Sequence, residues 1–145
     1  MSDFSIEPVS EVTSDLVQAI SLLVPQLGTS LPPKIDELIE VVRSAATTLF
    51  VARWNSQVIG MATLILVRIP TGIRAIIEDV VVDALHRYKR VGEALTRAAL
   101  ELAHAKGAKR VDLTSRPSRH AARRLYQRLG FKIRDTRVYR YSYHD

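Results

Sequence analysis

Three runs of β-forming residues, 47–54, 57–68 and 73–82, follow one another with almost no chain between them. Each is rich in Val, Ile, Leu, Ala or Thr, and the breaks are short turn formers, Asn55-Ser56 and Pro70-Thr71-Gly72. Runs joined this closely can pair only as an antiparallel meander, because a parallel crossover needs a dozen residues or more. A helical stripe of Leu95, Ala98, Ala99 and Leu102 comes next, within residues 91–105, and stops near Gly107. Residues 110–114 then read as another strand. A strand, a helix and a strand in that order make the last pair parallel, so the sheet is mixed.

The flanks extend the pattern. Residues 4–9 alternate as a strand does. Thr13 or Ser14 can cap a helix to about Val24, with Leu16, Ala19, Ile20 and Leu23 on one face. Pro25, Gly28, Pro32 and Pro33 break the chain, and a second helix over 34–45 places Ile35, Leu38, Ile39 and Val42 together. Pro117 suits the first turn of a helix to about Leu129, with Gly130 just past its end. Residues 131–143 supply the final strand or strands. The order β-α-α-β-β-β-α-β-α-β, with a further strand if the last one bends, predicts an α/β (α+β) fold with helices on both faces. No repeat, linker or low-complexity stretch interrupts it, so a single domain over 1–145 is expected.

Composition removes several function classes. Zero cysteine excludes disulfides, thiolate metal sites and a cysteine nucleophile. No run of about eighteen apolar residues exists to cross a membrane. Asp3, Glu7, Glu11 and Asp15 interrupt any signal-peptide pattern, so a cytoplasmic location is expected. His86, His104, His120 and His144 lack metal-ligand spacing, and packing or surface roles are expected of them, with no metal. The formal charge of +6, from 21 basic against 15 acidic side chains, is concentrated late in the chain. Such a patch suits a polyanion, whether small molecule, nucleic acid or membrane surface.

The chemistry gathers in residues 76–95. A buried strand leads through Arg87, Tyr88, Lys89 and Arg90 into Val91, Gly92 and Glu93, the opening of the long helix. A helix start presents backbone N–H groups without helical partners and the positive end of the dipole, a ready phosphate site.

The turn from Arg87 to Gly92, and the segment Ala122-Arg123-Arg124-Leu125-Tyr126-Gln127-Arg128-Leu129-Gly130-Phe131, resemble the GNAT superfamily of acetyl-coenzyme-A-dependent N-acetyltransferases. That family joins a Gln/Arg-x-x-Gly-x-Gly/Ala turn to an Ala-x-x-Leu-Tyr-x-x-Leu-Gly-Phe helix end. Arg87 takes the first turn position and Gly92 the last, while Arg90 stands where the family usually has a glycine. The resemblance covers roughly residues 47–143. It implies a GNAT-like, mostly antiparallel sheet of six to seven strands, with acetyl-coenzyme A as donor and an amine as acceptor. It implies that residues 87–93 hold the diphosphate, that Val80, Val81 and Val82 pair through their backbone with the pantetheine arm, and that Arg119 and Arg123 reach the coenzyme. Tyr126 resembles the family's general acid. Glu78 is the expected base, on a strand face with Ile76, Val80 and Val82, where apolar neighbours would raise its pKa; Asp79 points the other way by alternation.

Without a cysteine to carry an acyl intermediate, direct attack in a ternary complex is expected. No membrane partner is expected, and a homodimer is allowed. Two other readings compete. One is a basic nucleic-acid module using the arginines of 116–140 and Tyr139, Tyr141 and Tyr143; it is disfavoured because those tyrosines alternate like one face of a strand. The other is a catalytically silent coenzyme sensor.

Overall fold

A computed structural model describes residues 3–144, with the side chains of Tyr88 and Lys89 outside that description. The chain divides into two compact units, Met1–Thr114 and Ser115–Asp145. The first holds β1 (Phe4–Pro8), α1 (Ser14–Leu23), a 3₁₀ turn (Val24–Gln26), α2 (Ile35–Arg43), β2 (Thr47–Trp54), β3 (Gln57–Ile69), β4 (Gly72–Val82), a second 3₁₀ turn (Ala84–Lys89), α3 (Val91–Ala105) and β5 (Val111–Asp112). The second holds α4 (His120–Leu129).

Local chemistry sets these boundaries. The Thr13 hydroxyl accepts from the Leu16 N–H at 3.2 Å and caps α1. The Glu37 carboxylate reaches back to the Lys34 N–H at 2.8 Å and opens α2. Asn55 and Ser56, both at positive φ (50° and 66°), make the tight hairpin between β2 and β3.

The sheet runs β1-β2-β3-β4-β5, antiparallel except for the parallel β4–β5 pair. Opposed residues share a face. Leu49, Val51, Met61 and Val81 form one core with Leu16, Ile20 and Leu23 of α1 and Leu38 of α2. The other face, including Phe50, Ala52, Ala62, Leu64 and Ile77, lies under α3. Helices on both faces explain why β2 and β3 read as continuous apolar runs. Gly60 sets how closely α3 sits: a Cβ there would lie 3.1 Å from the Val81 carbonyl, 3.2 Å from Leu95 and 3.3 Å from Val91.

The described sheet has five strands rather than six or seven. Residues 132–144 form neither strand nor helix, and Tyr139, Tyr141 and Tyr143 are exposed, with the last two rings edge to face. Alternation is only a propensity for a strand. The strand itself needs a neighbouring edge to hydrogen-bond, and that is decided non-locally.

Candidate functional site

β4 carries an irregularity that alternation does not reveal. Its ladder to β3 passes from Thr63↔Glu78 to Met61↔Val81, so Asp79 and Val80 together face the single residue Ala62. This is a β-bulge, and Asp79 takes the left-handed conformation, φ 54°. Aspartate tolerates that region better than most side chains. The extra residue exchanges the faces beyond it. Glu78 therefore shares a face with Ile76 and Val81, not with Val80 and Val82 as strict alternation implies. Glu78 is also solvent-exposed, so the apolar setting expected for it is not what the fold builds.

The outer edge of β4 opens in the same region. β5 pairs with it only at Ala75↔Val111 and Ile76↔Asp112, while β4 runs on to Val82. Among the described residues no strand pairs with that side of β4 beyond Ile76. The Val81 side chain is buried in the α1–α2 core, so only its backbone is available to a ligand. Val82 pairs with Gly60, and Val80 lies in the bulge, half-buried.

Past Val82 the chain turns through Asp83 and the 3₁₀ turn Ala84–Lys89 to Arg90. The Arg87 side chain is exposed, and its Nε donates back to the Val82 carbonyl at 3.4 Å. Arg90 adopts φ 59°, ψ 27°, a left-handed residue at the cap of α3. The family pattern's glycine at this place answers the same backbone need, since glycine enters that region without steric cost. Arg90 keeps its guanidinium in solvent, 74% exposed, with Nη1 3.6 Å from Glu93 Oε2. Glu93 also lies 3.9 Å from Arg97 Nε. The Ala94 N–H donates to the Arg90 carbonyl at 3.2 Å, and the opening amides of a helix as a rule have no acceptor in the turn before them. Val91 is fully buried, so its contribution there is its amide alone. The Gly92 carbonyl accepts from the buried Thr96 hydroxyl at 2.7 Å. The structure thus brings Arg87, Arg90, Gly92 and Glu93 into one turn at the open end of β4. The side chains of Tyr88 and Lys89 lie outside the described residues.

The second unit builds its own constellation. α4 presents Ala122, Leu125, Tyr126 and Leu129, all half-buried, on one face and exposed Arg123, Arg124 and Arg128 on the other. Gly130, at φ 100°, ends the helix in a Schellman turn, with Gly130 N–H to the Gln127 carbonyl at 3.1 Å and Phe131 N–H to the Tyr126 carbonyl at 2.9 Å. That reversal lays Phe131 edge-on to the Tyr126 ring, 5.6 Å between centroids. The Leu-Gly-Phe sequence after the tyrosine thereby acquires a physical reason: it orients the phenol. Burial pushes the Tyr126 phenol above the ordinary tyrosine range, and the Arg119 guanidinium pulls it partly back. Arg123 Nη2 lies 3.0 Å from His120 Nδ1. Among the described residues no three His, Asp or Glu side chains gather as metal ligands would.

In the first unit, Gln26, Asp83 and His86 meet at the start of the 3₁₀ turn before α3, and the sequence pattern did not single out Gln26 or Asp83. Nothing local marks a glutamine that bonds to a residue 57 positions away. The Asp79 bulge had one signal, an aspartate inside a β-branched run.

A mixed sheet with an open β4 edge that feeds a basic helix start defines an α/β protein with the layout of an acyltransferase. The sequence pattern of the Acetyltransferase (GNAT) family matches residues 17–131. The chain belongs to that family, and membership supports acetyl transfer as its general activity. An acetyltransferase of Trypanosoma brucei is 25% identical and superposes with a TM-score of 0.80 over 97% of this chain and all of that one. An aminoglycoside acetyltransferase from a soil metagenome, in complex with trehalose, gives 0.82 at 18% identity over 99% and 97% of the two chains. Glucosamine-6-phosphate N-acetyltransferase of Arabidopsis thaliana gives 0.80 at 18% over 95% and 97%. The last two likenesses speak for the fold alone. No curated protein matches the chain by sequence. No helix among the described residues is long and apolar enough to cross a membrane.

Proposed function

We propose that residues 1–145 act as one N-acetyltransferase domain that moves acetyl from acetyl-coenzyme A to a primary amine, by direct attack in a ternary complex. The observation that carries this reading is the β4 edge, which among the described residues has no strand paired beyond Ile76 and leads into the opening of α3. Backbone groups of Val80 to Val82 suit the amides of the pantetheine arm, as an added strand would. The amides of Val91, Gly92 and Glu93, with the charges of Arg87 and Arg90, suit the diphosphate; Tyr88, Lys89, Arg119 and Arg123 complete the proposed coenzyme contacts.

The coenzyme supplies the thioester; the protein's part is binding and proton transfer. Glu78 takes the proton that the amine loses as the new C–N bond forms, directly or through water. Tyr126 gives its phenolic proton to the sulfur as the C–S bond breaks. Burial supports that role, because a phenol held above its usual range stays protonated and able to donate at neutral pH. The α1–α2 segment shapes the acceptor side. Location in the cytoplasm and self-association as a homodimer belong to the same proposal.

The test is a thermal-shift titration of the purified chain with acetyl-coenzyme A, followed by thiol release over a panel of amines. Stabilisation with turnover is the expected result. Stabilisation with no turnover on any amine would favour a coenzyme sensor, and the absence of both stabilisation and turnover would overturn the reading.

A further inference from the structure

The Gln26 side chain links the end of α1 to the turn that precedes α3. Gln26 ends the 3₁₀ turn that follows α1, and both ends of its amide are engaged. Its Nε2 donates to the Leu22 carbonyl at 3.2 Å and to Asp83 Oδ1 at 3.1 Å, and its Oε1 accepts from the Ala84 N–H at 2.9 Å. Asp83 is held in turn. Its N–H donates to the Ile59 carbonyl at 2.8 Å, its Oδ2 lies 3.1 Å from His86 Nδ1, and its carbonyl accepts from the His86 N–H at 2.8 Å. His86 is buried, edge-on to Trp54 at 5.2 Å.

Strands β2 and β3 and the end of α1 therefore converge on Asp83 and Ala84. From there the chain runs through the 3₁₀ turn to Arg90 and the opening of α3. A turn anchored at its start offers its later amides in one arrangement, so a ligand need not order them on binding.

We propose that Gln26 is a positioning residue. Through Asp83 and Ala84 it sets the turn that grips the coenzyme's diphosphate, and so ties coenzyme affinity to the placement of the α1–α2 segment. The proposal rests on the function given above. By linkage, an acceptor amine that shifts α1–α2 alters coenzyme affinity, and the coenzyme alters acceptor affinity by the same factor.

The test titrates coenzyme A calorimetrically into the full-length chain, its Gln26→Glu variant and the double variant Gln26→Glu/Asp83→Asn. Gln26→Glu preserves shape and the acceptor for Ala84 but loses the donor and sets a second carboxylate against Asp83. Coenzyme A affinity is expected to fall about tenfold, the effect of one lost, partly buried hydrogen bond to a charged group. Turnover at saturating acetyl-coenzyme A stays within about twofold, since no group touching the reacting atoms has changed. In the double variant the amide at position 83 donates to the carboxylate at 26 while its oxygen still accepts from His86, and affinity returns to within about threefold. Should Gln26→Glu fail to fold, Gln26→Met removes all three hydrogen bonds without adding charge, with the same loss expected.

Wild-type chain that binds coenzyme A, with variants that bind equally well, would overturn the positioning role alone. So would a lower melting temperature with unchanged affinity, or a double variant that recovers nothing. Wild-type chain that binds no coenzyme A would overturn the function and the proposal together.

Discussion

Replacing Arg90 separates backbone strain from side-chain chemistry at the turn that opens α3. Its φ of 59° lies in the left-handed region, which costs an L-residue about 1–2 kcal/mol. Glycine escapes that cost but gives up about 0.5–1 kcal/mol through the greater freedom of its unfolded chain. Arg90→Gly and Arg90→Ala both lose the pair with Glu93. That pair is 3.6 Å long with the guanidinium 74% exposed, so solvent screening leaves it at most about 0.5 kcal/mol. The loss cancels in the comparison. Arg90→Gly should therefore be more stable than Arg90→Ala by about 0.5–1 kcal/mol, although in a right-handed helix interior alanine would win by about 1 kcal/mol. The sign alone discriminates. Urea denaturation with a shared slope of about 1–3 kcal/mol per molar resolves such a gap as a shift of a few tenths molar in midpoint. An alanine variant equal to or more stable than the glycine variant would show that position 90 is not left-handed, and the account of the turn would fall with it.

Four further outcomes are expected. Tyr126→Phe should lower kcat by about 10²–10⁴ while coenzyme A affinity holds, and unchanged turnover would remove the phenol as acid. Because the protonated form donates and its pKa is raised, activity that depends on it persists until pH exceeds the ordinary tyrosine value of about 10; an ionisation of Tyr126 seen below pH 9 by absorbance of the phenolate would contradict this. Glu78→Gln should cut the rate most near neutral pH, and a pH–rate profile of unaltered shape would place the base elsewhere. Gly60→Val should cost about 1–3 kcal/mol in thermal or urea unfolding, since the added carbons meet the Val81 carbonyl and the α3 residues Leu95 and Val91; a neutral outcome would mean that α3 sits further from the sheet than the 3.2–3.3 Å contacts state.

The split between the coenzyme and nucleic-acid readings turns on the last segment. Alternation made residues 131–143 look like a strand whose tyrosines share a face, yet those tyrosines stand exposed on irregular chain. A titration with a labelled oligonucleotide decides what that exposure means. Salt-dependent binding to the oligonucleotide, without coenzyme A binding, would replace the acetyltransferase reading.

By itself the amino-acid sequence determined the elements whose causes are local. The strand Thr47–Trp54 and the helix Val91–Ala105 follow from apolar spacing, the Thr13 cap from one hydroxyl, and the end of α4 from a glycine that can turn left-handed at Gly130. Family membership was legible too, because the residue types of the turn before α3 and of the end of α4 recur at set spacing in one family. What only tertiary structure decided is whatever depends on a partner distant in the chain. The bulge at Asp79 exists because two strands differ by one residue across a ladder, and it alone places Glu78 beside Val81. Gln26 meets Asp83 only once α1 lies on the sheet. Residues 132–144 show the same dependence in reverse: a strand-like pattern gains nothing until a neighbouring edge offers hydrogen bonds, and no local spacing can supply that edge.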